Sequence, residues 1–156
     1  MINAVKTVQA RNDTGNRIGL FGSSMGGSVC ISTANSVKAE VLVTFAAPVR
    51  IDSIIETPET LNDPGDLSPS FYNNLRFDIS DKLSNLNHIL IFHGDSDDVV
   101  PPSNAREIYS KAGEPKKLII QKGGDHPMSD KAHQENFIRE ASVWFKRWFE
   151  TIKELV

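Results

Sequence analysis

Cysteine is almost absent from this 156-residue sequence. Cys30 is the only one, so no internal disulfide can form and a cysteine-rich metal site is excluded. Its setting, GGSVCISTA, reads as a packed and inert thiol. Long hydrophobic runs are missing as well. No stretch approaches twenty apolar residues, and the opening MINAVKTVQARND lacks the apolar core of a secretion signal, so no membrane partner is expected and the cytoplasm is the expected location. Positive charge is not in excess: 17 Lys and Arg against 20 Asp and Glu leave a net charge of −3. With no basic run interleaved with aromatics, nucleic acid is not an expected partner. None of the four histidines shares with an acid the short helical spacing that metal hydrolases need, so no metal is expected either.

What remains is an ordinary globular composition, 39% hydrophobic and 24% charged. A chain of this length can bury roughly two-thirds of the surface its unfolded form exposes, enough for one core. No internal repeat and no linker divides it, and residues 1–156 are expected to form a single domain.

Local patterns supply the elements. Val5 and Val8 lie one helical turn apart in a short helix over 3–12, with Asn3 as cap and Gly15 as stop. RIGLFG at 17–22 reads as a strand. Small residues from Gly26 to about Asn35, among them Gly27, Ser28, Cys30 and Ala34, predict a helix packed closely on its neighbours. VLVTFAA at 41–47 and HILIFHG at 88–94 are apolar runs suited to strands covered on both faces. PSNAREIYSKAG predicts a helix capped by Ser103 and stopped by Gly113, and KKLIIQK a fourth strand. From about Asp130, Phe137, Ala141, Phe145, Trp148 and Ile152 form the apolar stripe of a long helix. Between Pro48 and Ser80 no period of either kind survives, and that stretch is a candidate lid or substrate-facing segment, with Ile54, Ile55, Phe71 and Tyr72 available to line a pocket. Strands alternating with helices imply an α/β fold, a mostly parallel sheet flanked by helices.

The chemistry concentrates after three strands. In RIGLFGSSMGGS, Gly22-Ser23-Ser24-Met25-Gly26 stands where a strand gives way to a helix, the arrangement of a nucleophile elbow. Ser24 would sit on a sharp turn that the small residues Gly22 and Gly26 allow to close, and Ser23 occupies the variable slot. At the start of the helix, the Met25 N–H could stabilise an oxyanion. A serine hydroxyl needs a base, and the base needs an orienting acid. HGDSDDVVPP follows the third strand with Asp95, Asp97 and Asp98 as candidate acids, and GGDHPMSD follows the fourth with His126 as candidate base. Asp95 also reads as a turn former, while Asp98 and Asp125 read as solvated carboxylates. His93 is expected to pack and hydrogen-bond at its strand end, and His88 and His133 to be peripheral. All the candidates fall at the carboxyl edge of a parallel sheet, where sites of such folds gather.

FGSSMGG, HGDSDDVVP and GGDHPMS together resemble the three signature segments of the α/β-hydrolase superfamily, over residues 17–154. The flavour is that of small esterases, dienelactone-hydrolase-like proteins and the catalytic domains of prolyl-oligopeptidase-like enzymes. In these relatives the acid stands in H-G-x-x-D-x-x-V-P, which His93, Gly94, Asp97, Val100 and Pro101 match, so the resemblance selects Asp97. It implies a Ser24–Asp97–His126 triad that cleaves a small ester or related acyl substrate without a cofactor. The resemblance also has a gap. Such relatives carry further strands, and a loop that completes the oxyanion hole, before the nucleophile, whereas only 23 residues precede Ser24 here. Loss of one oxyanion donor lowers turnover by about a hundred- to a thousandfold. The expectation is therefore a truncated α/β-hydrolase fold whose strand at 17–22 is an open apolar edge, covered by a second copy or a partner chain. The rival expectation is a weakly active or inactive hydrolase-like domain serving as a binding or assembly module.

Overall fold

The computed structural model describes residues 1–15, 17–54 and 77–151. The candidate lid falls largely on 55–76, so the expectations placed on Ile55, Phe71 and Tyr72, like that on Ile152, lie outside the described residues.

The order is α1 (Ile2–Gln9), β1 (Gly19–Ser23), α2 (Met25–Thr33), β2 (Val41–Phe45), β3 (Ile89–Gly94), α3 (Ser103–Lys111), β4 (Lys116–Gln121) and α4 (Lys131–Thr151). The strands form one sheet in the order β1-β2-β3-β4, every neighbouring pair parallel. The α/β expectation holds. Parallel neighbours need crossovers, and here the crossover helices α2 and α3 cover one face of the sheet while α4, which follows the last strand, covers the other. The two apolar runs therefore take the middle of the sheet, and every residue of β2 and β3 is buried.

Alternation along these strands divides the core in two. Leu42, Ile89 and Ile91 face Cys30 and Ile31 of α2, Ala105 and Ile108 of α3, and Val5 of α1. Val41, Val43, Phe45, Leu90 and Phe92 face Ala141 and Trp144 of α4. Trp144, which the stripe reading leaves out, lies near the centre of the α4 contact and donates its indole N–H to the His88 carbonyl at 3.1 Å. β1 takes an edge of the sheet with Gly19, Phe21 and Ser23 exposed in alternation, and Phe21 keeps 53% of its surface.

Three predicted helix ends differ from those observed. α1 begins at Ile2 with Met1 in the cap position, and Asn3 lies inside it, its carbonyl accepting the Thr7 hydroxyl at 3.0 Å. The helix ends at Gln9, well before Gly15. Ser103 is the first residue of α3 and not its cap: Pro102 is already helical at φ −64 and ψ −9, because proline fixes the φ a first turn needs. α3 ends at Lys111, where Ala112 turns to extended backbone at ψ 147, and the following Gly113 N–H donates to the Leu86 carbonyl at 2.8 Å. The ends of the irregular segment are tied together, with Arg50 bridging Asp78 and the Ile79 N–H on the Val49 carbonyl. No helix among the described residues is long and apolar enough to cross a membrane.

Candidate active site

Ser24 occupies the single residue between β1 and α2. Its backbone, at φ 49 and ψ −129, lies where a side chain is strained by about 1–3 kcal/mol. The surroundings enforce it. The Ser24 N–H donates to the Phe45 carbonyl of β2 at 2.8 Å, and a Cβ on Gly22 would overlap the Gly26 carbonyl and the Gly27 nitrogen. A Cβ on Gly27 would come within 2.6 Å of the Ala47 Cβ. The expectation for Gly26 needs correction: a Cβ there meets nothing within 4 Å. The turn closes because the Gly22 Cα approaches the Gly26–Gly27 peptide, and the side of Gly26 that would carry a Cβ points away from that contact.

The loops after β3 and β4 are joined at their backbones. A Cβ on Gly94 would overlap the Gly124 carbonyl, and the Ser96 N–H donates to the same carbonyl at 3.0 Å. Asp95, read as a turn former, ties the two loops by accepting the Gly123 N–H at 2.6 Å. Asp98 is exposed. Asp125, read as solvated, accepts the Ser129 N–H at 2.7 Å, and the Ser129 hydrogen bonds hold its carboxyl below the usual range.

Asp97 is buried at 6% exposure. Its Oδ1 accepts the Val99 N–H at 3.0 Å and the Val100 N–H at 2.8 Å. Its Oδ2 lies 2.9 Å from His126 Nδ1 and 3.2 Å from His93 Nε2. Burial pushes the carboxyl up, but hydrogen bonds from His126, His93 and the Val100 N–H outweigh it and hold the group well below the carboxylate range. With Nδ1–H directed at a carboxylate, His126 presents a bare Nε2, which stands 3.1 Å from Ser24 Oγ. The three predicted residues thus meet in one hydrogen-bonded line across the carboxyl edge of the sheet. In chemical terms this line can draw a proton from the serine hydroxyl and steady the imidazolium that results.

Beside His126 lies a recess of about 320 Å³ walled by Phe21, Phe45, Met128 and Phe137, with Gln134 at its side. The Phe137 ring stands 5.3 Å from that of Phe21 and 6.3 Å from that of Phe45. Sequence reasoning looked for a pocket in the irregular segment and passed over these rings. The available signal was positional: Phe21 and Phe45 point to one face of the sheet at or near the last residues of their strands, next to the loops that carry the site. Ser23 also borders this recess. Cys30 is buried, which pushes its thiol up, in keeping with an inert role. His88 packs its ring edge-on to Trp148 at the far end of β3.

The model of the prolyl oligopeptidase family matches residues 1–151. The chain belongs to that family. YfhR of Escherichia coli strain K12, an uncharacterized protein, is 28% identical over 150 residues, covering 92% of this chain and 50% of YfhR. The chain spans about half the length of the curated relatives it matches. Among solved structures, an esterase of Pyrococcus furiosus superposes with a TM-score of 0.77 at 20% identity, over 94% of this chain and 60% of that one. The esterase domain of a Rhodothermus marinus protein gives 0.66 at 18% identity, over 90% and 65%. A puromycin-hydrolyzing peptidase of Mycobacterium tuberculosis gives 0.70 at 15% identity, over 94% and 24%. The fold of this family member is that of the α/β-hydrolases.

Proposed function

We propose that the chain is a serine hydrolase that cleaves a carboxylic ester or related acyl bond through an acyl-enzyme intermediate. One observation carries this reading: Ser24 Oγ, His126 and Asp97 form an unbroken hydrogen-bonded line, with the serine held on a strained turn. Ser24 Oγ bonds to the acyl carbon while its proton passes to His126 Nε2, and Asp97 steadies the charged ring. The Met25 N–H, in the first turn of α2 where N–H groups have no intrahelical acceptor, is the donor assigned to the developing oxyanion. His126 then gives its proton to the departing alcohol oxygen as the carbon–oxygen bond breaks. Water repeats the sequence in reverse roles: its proton goes to His126, its oxygen to the acyl carbon, and Ser24 leaves with the proton returned. The aromatic recess beside His126 suits an apolar acyl or alcohol group.

Labelling of the purified chain with a fluorophosphonate, beside Ser24→Ala, tests the reading. Labelling that disappears in the variant, with turnover of short p-nitrophenyl esters, is the expected result. A folded native chain that takes no label at Ser24 overturns it and favours a binding or assembly module.

A further inference from the structure

We propose that His93 is a positioning residue for Asp97, holding the carboxylate oxygen that orients His126; the proposal rests on the triad reading above. His93 is completely buried in β3. Its Nε2 lies 2.7 Å from the Val100 carbonyl oxygen. A carbonyl can only accept, so Nε2 carries the hydrogen. The same nitrogen is 3.2 Å from Asp97 Oδ2, so the N–H aimed at the Val100 carbonyl also lies close enough to attract the carboxylate electrostatically. The other ring nitrogen, Nδ1, is buried with no partner among the described residues.

That orphan atom argues against packing as the reason for an imidazole here. A phenylalanine or leucine would fill the space without stranding a polar atom, which is costly in a core. Among the described residues the ring's directional interactions run through Nε2, and they end on the two groups that shape the acid loop. Asp97 is consequently gripped at both oxygens: Oδ1 by the Val99 and Val100 N–H groups, Oδ2 by His93 on one side and His126 on the other. His93 also ties down the Val100 carbonyl, and so the same short turn whose N–H groups hold Oδ1. Without it, Oδ2 would be restrained by His126 alone, the residue it is supposed to orient.

The test compares His93→Gln, His93→Asn and His93→Leu. A glutamine amide nitrogen is the same number of bonds from Cβ as His Nε2 and restores the donor. An asparagine amide is polar but falls short, and leucine has no donor. In each folded variant, the low-field proton resonance of His126 Nδ1–H is recorded at neutral pH, together with the rate of fluorophosphonate labelling and, for esters, kcat and KM. H93Q is expected to keep the resonance and stay within about threefold of the native rate. H93N and H93L are expected to lose the resonance or move it upfield, with labelling and kcat down at least tenfold and KM little changed. An unchanged resonance in folded H93N or H93L, or its loss in folded H93Q, overturns the proposal. If the native chain takes no label, the hydrolase reading falls by itself, and the resonance still decides whether His93 holds Asp97.

Discussion

The two halves of the candidate site are held by different forces. Around Ser24 the hold is steric: strand end and helix start are pressed so closely that Gly22 and Gly27 have no room for a side chain, and Ser24 takes a strained backbone as a result. Around Asp97 and His126 it is largely polar, a network in which one buried carboxylate collects two backbone N–H groups and two imidazoles. A sterically made turn presents one hydroxyl in one place and tolerates no added atom at Gly22 or Gly27. A polar network can keep its shape when a neutral isostere replaces one member, yet lose its charge. Mutations should therefore damage the first half through folding and the second through chemistry.

The largest effect is expected from Asp97→Asn. The amide oxygen can still accept the Val99 and Val100 N–H groups, so the variant should unfold close to the native temperature, but the charge that selects the His126 Nδ1–H form is gone. Ester turnover should drop by about four orders of magnitude, as in other enzymes with this triad. A variant that keeps native turnover would remove Asp97 from the reaction.

Next in size are Gly22→Ala and Gly94→Ala, each of which drives a Cβ into a carbonyl of the facing backbone. Destabilisation of at least about 3 kcal/mol is expected in urea unfolding. Gly94 belongs to the polar half, so its variant marks the limit of the contrast: there too, the two loops meet through a glycine before any side chain acts.

A smaller effect, with a defined pH dependence, is expected at Glu107. The paired hydrogen bonds from Arg50 lower its carboxyl to about 2 and tie the residues after β2 to α3. A carboxyl lowered by folding contributes stability that is fully present above its unfolded value near 4.5 and is lost as pH falls through the folded value. Native protein should thus exceed Glu107→Gln in unfolding temperature at pH 6, and the gap should close between about pH 4.5 and 2. A gap that persists at pH 2 would mean the residue acts through packing and not through its charge.

Gly26→Ala should have the smallest effect. Its Cβ would meet nothing, and alanine in the first turn of a helix gains about 0.5–1 kcal/mol over glycine. A loss as large as that for Gly22→Ala would show that the spacing of the motif, and not the close approach, demands glycine at both places.

Much of this architecture was legible in the residues. VLVTF and ILIFHG are apolar without alternation, and both became central strands buried on two faces. The stripe beginning at Phe137 produced α4 against the opposite face from α2 and α3. Ser24 and His126 could be picked out because each follows a strand among turn residues, whereas Asp97 was one of three acids after its strand and the resemblance to the α/β-hydrolases selected it; the three do meet. The helix ends were read less well. Ser103 and Asn3 have capping side chains, but Pro102 and Met1 hold the cap positions, because a cap depends on backbone angles one residue away. Gly26 misled for a related reason: a spacing in sequence does not say which Cα faces which peptide.

The sequence by itself determined the parallel α/β fold, the three loops that converge and the residue types they bring, because hydrophobic period and turn chemistry are local properties. Only the tertiary structure decided which glycine the elbow cannot do without, that Asp95 joins two loops, that Phe21, Phe45 and Phe137 wall a recess beside His126, and that His93 reaches Asp97. The Asp95 tie and the recess are contacts between segments far apart in the chain, while the Gly22 and His93 contacts span only four or five residues but depend on how each turn folds back at the end of its strand, and no hydrophobic period or turn composition records either kind.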